Sequence, residues 1–299
     1  MLFAIISYFL NAVTAIIDKF LLKKSVPSPA AYAFFVGILS IFAVILIPFG
    51  VIWPGFSLAV QNIIPGIIFF WAVFLFVTAV KKYEVSRVVT MIGGFAPIFT
   101  LILSFFIFGE KLRGLHFLAF IILIAGGVII SFKRDSGENR RIKHPLLGME
   151  ISILAAFSFA LYYVLAKFIF SNGQPFISAF FWSRMGSFLM AVFILLIPSW
   201  RKLIFETKKT AGIRGGALFV GNKALAAVAF ILLNYSIKLG DVALVNAIQG
   251  VQYIFLLGLV VILAKKHHEV LEEKLTHSVI VQKIIAITII GAGLALLYF

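Results

Sequence analysis

The chain has no cysteine. That excludes disulfides, thiolate metal sites and cysteine nucleophiles, and leaves the redox compartment unread. Charge is also scarce. Asp, Glu, Lys and Arg make up 12% of the residues, against about 25% in soluble domains. Acidic residues are the scarcest, 11 against 26 Lys and Arg. What fills the space is apolar: 63% of the 299 residues, including 34 Phe, with a mean hydropathy of +1.13. A soluble protein of this length could not hide that much apolar surface. A soluble enzyme, a nucleic-acid-binding domain and a disordered chain are thereby excluded. The composition is that of a polytopic, all-α membrane protein, whose apolar surface faces lipid as well as its own interior.

The net charge of +15 would suggest nucleic acid in a soluble protein. Here most basic residues lie between apolar runs, where they fix orientation and meet anionic head groups. A spanning helix needs about 20 mostly apolar residues. Ten such runs fit, at roughly 2–22, 30–52, 60–80, 85–108, 114–132, 146–170, 175–197, 214–237, 240–264 and 278–298. Pro27, Pro29, Trp53-Pro54-Gly55, Gly109, Gly137, Gly173, Pro175 and Pro198 mark the gaps. The run from Leu2 lacks a basic leader and a small-residue cleavage site, so it is expected to be a span and not a signal peptide. Lys and Arg crowd the odd-numbered connections, including Lys23, Lys24, Lys81, Lys82, Lys133, Arg134, Arg140, Arg141, Lys143, Arg201 and Lys202. The even ones hold little beyond Lys111, Arg113 and Lys238. The positive-inside rule then places the odd loops in the cytoplasm and both termini outside, in a multi-pass protein of the cell membrane.

The halves resemble each other. Lys19 and Phe20 match Lys167 and Phe168, and Pro27 falls on Pro175 at the same offset. Lys81, Glu84, Val85, Val88 and Gly93 match Lys238, Asp241, Val242, Val245 and Gly250 at a slightly larger one. The expected organisation is a five-helix repeat over 1–133, a basic linker over 134–145 and a second five-helix repeat over 146–299. An odd number of spans per repeat forces the copies into inverted topology, an architecture of secondary transporters.

Ten helices in two such repeats, the turn from Lys82 through Tyr83, Glu84 and Val85 to Ser86, Pro97 within the fourth span, Gly109-Glu110-Lys111-Leu112 at its end, and Gly126-Gly127 in the fifth resemble the drug/metabolite transporter superfamily, in particular its EamA-type members. The resemblance covers essentially the whole chain. It implies transport without naming the solute. The second half departs at Ile254, where the repeat would place a proline, and in its longer charged loop, Lys265 to Lys274.

Charge inside a membrane is expensive and is read as functional by default. Arg184 and Lys223 fall near the middle of the seventh and eighth spans. Asn246, Gln249 and Tyr253, at i, i+3 and i+7, share one face of a continuous ninth helix. Ser7, Asn11, Thr14 and Asp18 form a similar stripe in the first, and Tyr163 lies in the sixth. The substrate-binding residues expected on these grounds are Arg184, Lys223, Asn246, Gln249, Tyr253, Asn11 and Tyr163. Asp18, Glu84, Glu150 and Asp241 all lie toward helix ends, so no carboxylate is expected to neutralise the two cations. An anionic or zwitterionic solute is expected to do so. The lack of a mid-membrane carboxylate also favours facilitated diffusion or exchange over proton-driven export. The histidines lie near loops without metal-ligand spacing, no nucleotide-binding motif is present, and no nucleophile–base pair is evident. No metal, cofactor or catalytic residue is therefore expected. The partners expected are a small solute and the bilayer, with no nucleic acid, the protein acting as monomer or homodimer. The competing readings are an integral-membrane lipid-handling enzyme, an exporter of cationic drugs, and a non-transporting scaffold with a dry core.

Overall fold

The computed structural model describes residues 1–83, 85–109, 114–131, 145–271 and 277–296. Glu84, residues 110–112 of the Gly109 turn, and 134–144 of the basic linker lie outside them. Among the described residues every regular element is helical: α1 Leu2–Lys24, α2 Pro29–Leu39, a 3₁₀ segment Ser40–Phe49, α3 Phe56–Lys82, α4 Val85–Phe108, α5 Leu115–Ser131, α6 Pro145–Ser171, α7 Phe176–Phe193, α8 Pro198–Leu239, α9 Val242–Ala247, α10 Gly250–Leu271 and α11 His277–Leu296. Eight helices among the described residues are long and apolar enough to cross a membrane. Shorter apolar stretches, Phe117–Gly126 and Ile284–Gly293, lie in α5 and α11. The chain is a membrane protein built of helices.

Three elements differ from the sequence expectation. The run 30–52 is not one α-helix. It starts as expected, with Ser28 accepting from the Ala31 amide and Pro29 in the first turn, where its missing N–H is no loss. It then tightens into ten residues of 3₁₀ helix that contain Pro48 and end at Gly50, φ 104°. Such a length is unusual for 3₁₀ geometry. The stretch before the eighth span is helical, but Gly212, at φ 60° and ψ 171°, breaks it from the span Gly212–Leu239. A left-handed φ with an extended ψ is open chiefly to glycine. The ninth span breaks between Ala247 and Gly250, leaving Gln249 in the gap.

Packing runs across the two halves. α1 lies on α8 and α10, α6 lies on α3 and α4, and α5 lies on α11. Lys19 and Lys167, matched in the sequence, make equivalent bonds. Lys19 of α1 donates to the carbonyls of Val80 and Tyr83 at the end of α3, at 3.0 and 2.8 Å. Lys167 of α6 donates to the carbonyls of Ile237 and Gly240 at the end of α8, at 3.1 and 2.6 Å. In each case a cation satisfies carbonyls that a helix end leaves unpaired and meets the negative pole of the helix dipole.

α3 crosses α7 backbone to backbone. A Cβ at Gly66 would fall 1.8 Å from the Ser183 carbonyl oxygen, and one at Gly186 would fall 2.1 Å from that of Ile63. Ser187 donates its hydroxyl to the Gly66 carbonyl at 2.7 Å. Small residues permit this approach in a lipid setting, where dispersion and interhelical hydrogen bonds replace the hydrophobic effect. The crossing sets the rotation of α7, and with it the direction of Arg184, the neighbour of Ser183.

Candidate functional site

A cavity of about 520 Å³ lies among α1, α2, the 3₁₀ segment, α3, α4, α6, α7 and α8, with the turn between α9 and α10 on one wall. Five expected residues line it: Arg184, Lys223, Gln249, Asn11 and Tyr163. The other two lie elsewhere. Asn246 is buried and donates its amide to the Thr100 hydroxyl at 2.8 Å, tying α9 to α4. Tyr253 is buried with its hydroxyl against Gly93, where a Cβ would clash with it. The three still share a side, Asn246 at Thr100 and Gln249 beside the Tyr253 hydroxyl at Gly93, but that side meets α4, and only Gln249 of the three also reaches the cavity. Gln252, a residue outside that stripe, lines the cavity instead.

Lys223 is not the unneutralised cation that the sequence suggested. Its Nζ is 2.9 Å from Oδ1 of Asp18, and both side chains are largely buried. The same oxygen accepts the Tyr32 hydroxyl at 2.5 Å and the Asn222 amide. Asp18 sits near the end of α1, but α1 is covered there by α2 and α8, and Asp18 is 5% exposed. Position along a helix indicated a surface charge; the neighbouring helices make it an interior one. The expectation that no interior carboxylate exists is therefore corrected, and with it the argument against ion coupling.

Arg184 is different. It is 8% exposed, and its guanidinium carbon lies 4.2 Å from the Phe69 ring centroid and 4.6 Å from that of Phe230. Phe180 and Tyr162 complete an aromatic collar at 5.8 and 6.0 Å. Cation–π contact of this kind contributes about 2 kcal/mol when desolvated, but it meets the ring faces and leaves in-plane N–H groups unused. Nε and Nη2 are buried with no hydrogen-bond partner. Among the described residues no carboxylate pairs with it. A buried, unpaired charge-bearing donor is costly to maintain.

Tyr162 hydroxyl donates to Asn234 Oδ1 at 2.8 Å, and Tyr163 stacks on Phe159, their ring planes 19° apart. On the opposite wall Ser7 donates to the Ala229 carbonyl at 2.7 Å, and Tyr8 to the Val245 carbonyl at 3.1 Å. These bonds join α1 to the second half on the wall that carries Asn11. Sequence reasoning missed Phe69 and Phe230 as the collar of Arg184. Nothing in a chain with 34 Phe distinguishes two of them. Among the described residues no group of three His, Asp or Glu side chains could hold a metal ion.

No family model matches the chain, and no curated protein matches it. Solved structures do. One crystal structure, of a protein described only as such, aligns with a TM-score of 0.64 at 19% identity, over 98% of this chain and 94% of the other. At that identity the likeness speaks to fold alone. The whole helical arrangement is thus one that occurs in a crystallised protein of nearly the same extent.

Proposed function

We propose that this chain is a secondary transporter of the EamA type within the drug/metabolite transporter superfamily. It would have ten spans in two inverted five-helix repeats and move a small anionic or zwitterionic solute by alternating access. It is not read as an enzyme. Support for the repeat comes from the exchanged packing, α1 on α8 against α6 on α3, and from the equivalent bonds of Lys19 and Lys167. α5 and α11 supply the two shorter spans. Inverted repeats place the substrate site at their interface near the midplane, and a cavity lined by helices from both halves of the chain supports that reading. Alternating access would be a rocking of one helical bundle against the other around that cavity.

The observation that carries the solute class is Arg184, buried on the cavity wall with two N–H groups unpartnered. Lys223 drops out of that argument because Asp18 neutralises it. The cationic-drug reading weakens for the same reason: Asp18, the one carboxylate in the cavity wall among the described residues, is already paired. Charge-assisted hydrogen bonds contribute about 1.5–3 kcal/mol, and 1.4 kcal/mol is about tenfold in affinity. Arg184→Gln should therefore lower uptake of anionic solutes into proteoliposomes by about tenfold or more. The protein should remain monodisperse in detergent. Undiminished anion uptake in the variant would remove the basis for the proposal.

The Lys and Arg bias supports a cell-membrane orientation with both termini outside. Reporters active only in the cytoplasm should be silent when fused at either end and active when inserted near Arg140. The reverse pattern would invert the topology.

A further inference from the structure

Part of the cavity wall is exposed on the outside of the helical bundle. Phe42 and Ile45 line the cavity yet are 61% and 65% exposed. Across from them Ala224, Ala227 and Ile231 of α8 also line it and are exposed. Both sets follow helical spacing, so each is one face of its element: i and i+3 on the 3₁₀ segment, i, i+3 and i+7 on α8. The Ser40–Phe49 segment packs on α7, while the main contact of α8 with this region is to α2 below it. The two faces therefore form the sides of a gap, kept open on the α8 side by two alanines.

The depth of the gap matters. At 1.5 Å per residue, Ala227 lies about 22 Å along a span of about 40 Å measured from Gly212. If the span is centred in the bilayer, the gap at Ala227 falls within the hydrocarbon layer of about 30 Å. A hydrated anion cannot approach through that layer, since bare charge in hydrocarbon is too costly. A molecule already dissolved in the bilayer can. Inside, the walls are mostly apolar and aromatic, and among the described residues no carboxylate pairs with Arg184 on that wall.

We infer that the site takes an amphipathic anion, a charged head on an apolar chain, which reaches Arg184 sideways from the bilayer through the gap between the Ser40–Phe49 segment and α8. The head pairs with the Arg184 fork, and the chain lies along the aromatic wall and out through the gap. The inference rests on the transporter reading and narrows its substrate class.

The test is equilibrium binding to the full chain in lipid nanodiscs, counted above protein-free discs. Three probes are compared: dodecanoate, the water-borne dianion hexanedioate, and dodecylammonium. Dodecanoate should bind saturably and the other two should not. Arg184→Gln should weaken dodecanoate binding at least tenfold. Ala227→Phe, whose added ring has open surface to occupy, should weaken it similarly with the thermal unfolding midpoint unchanged, so loss of fold cannot explain the effect. Hexanedioate bound and transported while dodecanoate is ignored would overturn the lateral route and leave the transporter reading standing. Dodecanoate binding unaffected by either variant would likewise overturn it. No binding and no flux of any anion would sink the inference and the transporter reading together.

Discussion

Asp18→Asn should destabilise the protein by about 3 kcal/mol, the lower end of what breaking a buried ion pair costs when one partner stays behind. The Asn keeps the shape of the carboxylate and can still accept from Tyr32 and Asn222, which isolates the charge effect. What is lost is the counter-ion of Lys223, 2.9 Å away in a largely buried setting. Lys223→Met alone should also destabilise, because it strands Asp18 between a phenol and an amide. The double variant Asp18→Asn, Lys223→Met should recover most of the loss, since a removed pair leaves no stranded charge. The non-additivity is the signature of contact. It would be read from unfolding midpoints of the three variants in matched detergent or lipid. A double-variant loss equal to the sum of the two single losses would mean that the two side chains do not pair.

The same pair shows what a sequence can and cannot say. Ten apolar runs, the basic odd loops and the match of Lys19 with Lys167 are legible because they depend on local composition and on spacing along the chain. Arg184 was legible because a guanidinium in mid-span has few innocent explanations. Asp18 was not. Near the end of its helix, beside Lys19, it reads as a surface charge, and only the placement of α2 and α8 over it reverses that. The stripe of Asn246, Gln249 and Tyr253 was legible as one side, because helical spacing survives the turn at Gln249; what spacing could not say is that this side meets α4 at Thr100 and Gly93 and that only Gln249 also reaches the cavity. Gly250 stood in the sequence as a warning of that turn, but glycine in a membrane helix more often marks close packing than a break. The lateral gap was invisible because it is made by an absence of side chain at Ala224 and Ala227 opposite a segment whose 3₁₀ twist no composition announces.

Gly66→Ala and Gly186→Ala should each be among the most damaging single-methyl additions in the chain. Overpacking generally costs about 1–3 kcal/mol and is relieved when a neighbouring side chain can swing away. Here none can. The atoms in the way are backbone: the Ser183 carbonyl 1.8 Å from the Gly66 Cβ position, and the Ile63 carbonyl 2.1 Å from that of Gly186. The two helices must separate or rotate. Separation stretches the Ser187 bond to the Gly66 carbonyl, and rotation of α7 carries Arg184 off the Phe69 ring, since Arg184 adjoins the clashing Ser183. The expected result is a loss of stability of at least about 3 kcal/mol together with weakened anion binding, in variants that leave every cavity-lining side chain chemically intact. A control separates crowding from loss of the bare glycine backbone. Gly221→Ala, at a position with open space around its Cβ, should be neutral or slightly stabilising, because alanine favours helix over glycine by about 1 kcal/mol. If Gly66→Ala behaves like Gly221→Ala in unfolding midpoint and in binding, α3 and α7 do not cross as closely as described. Arg184 would then owe its position to the aromatic collar alone.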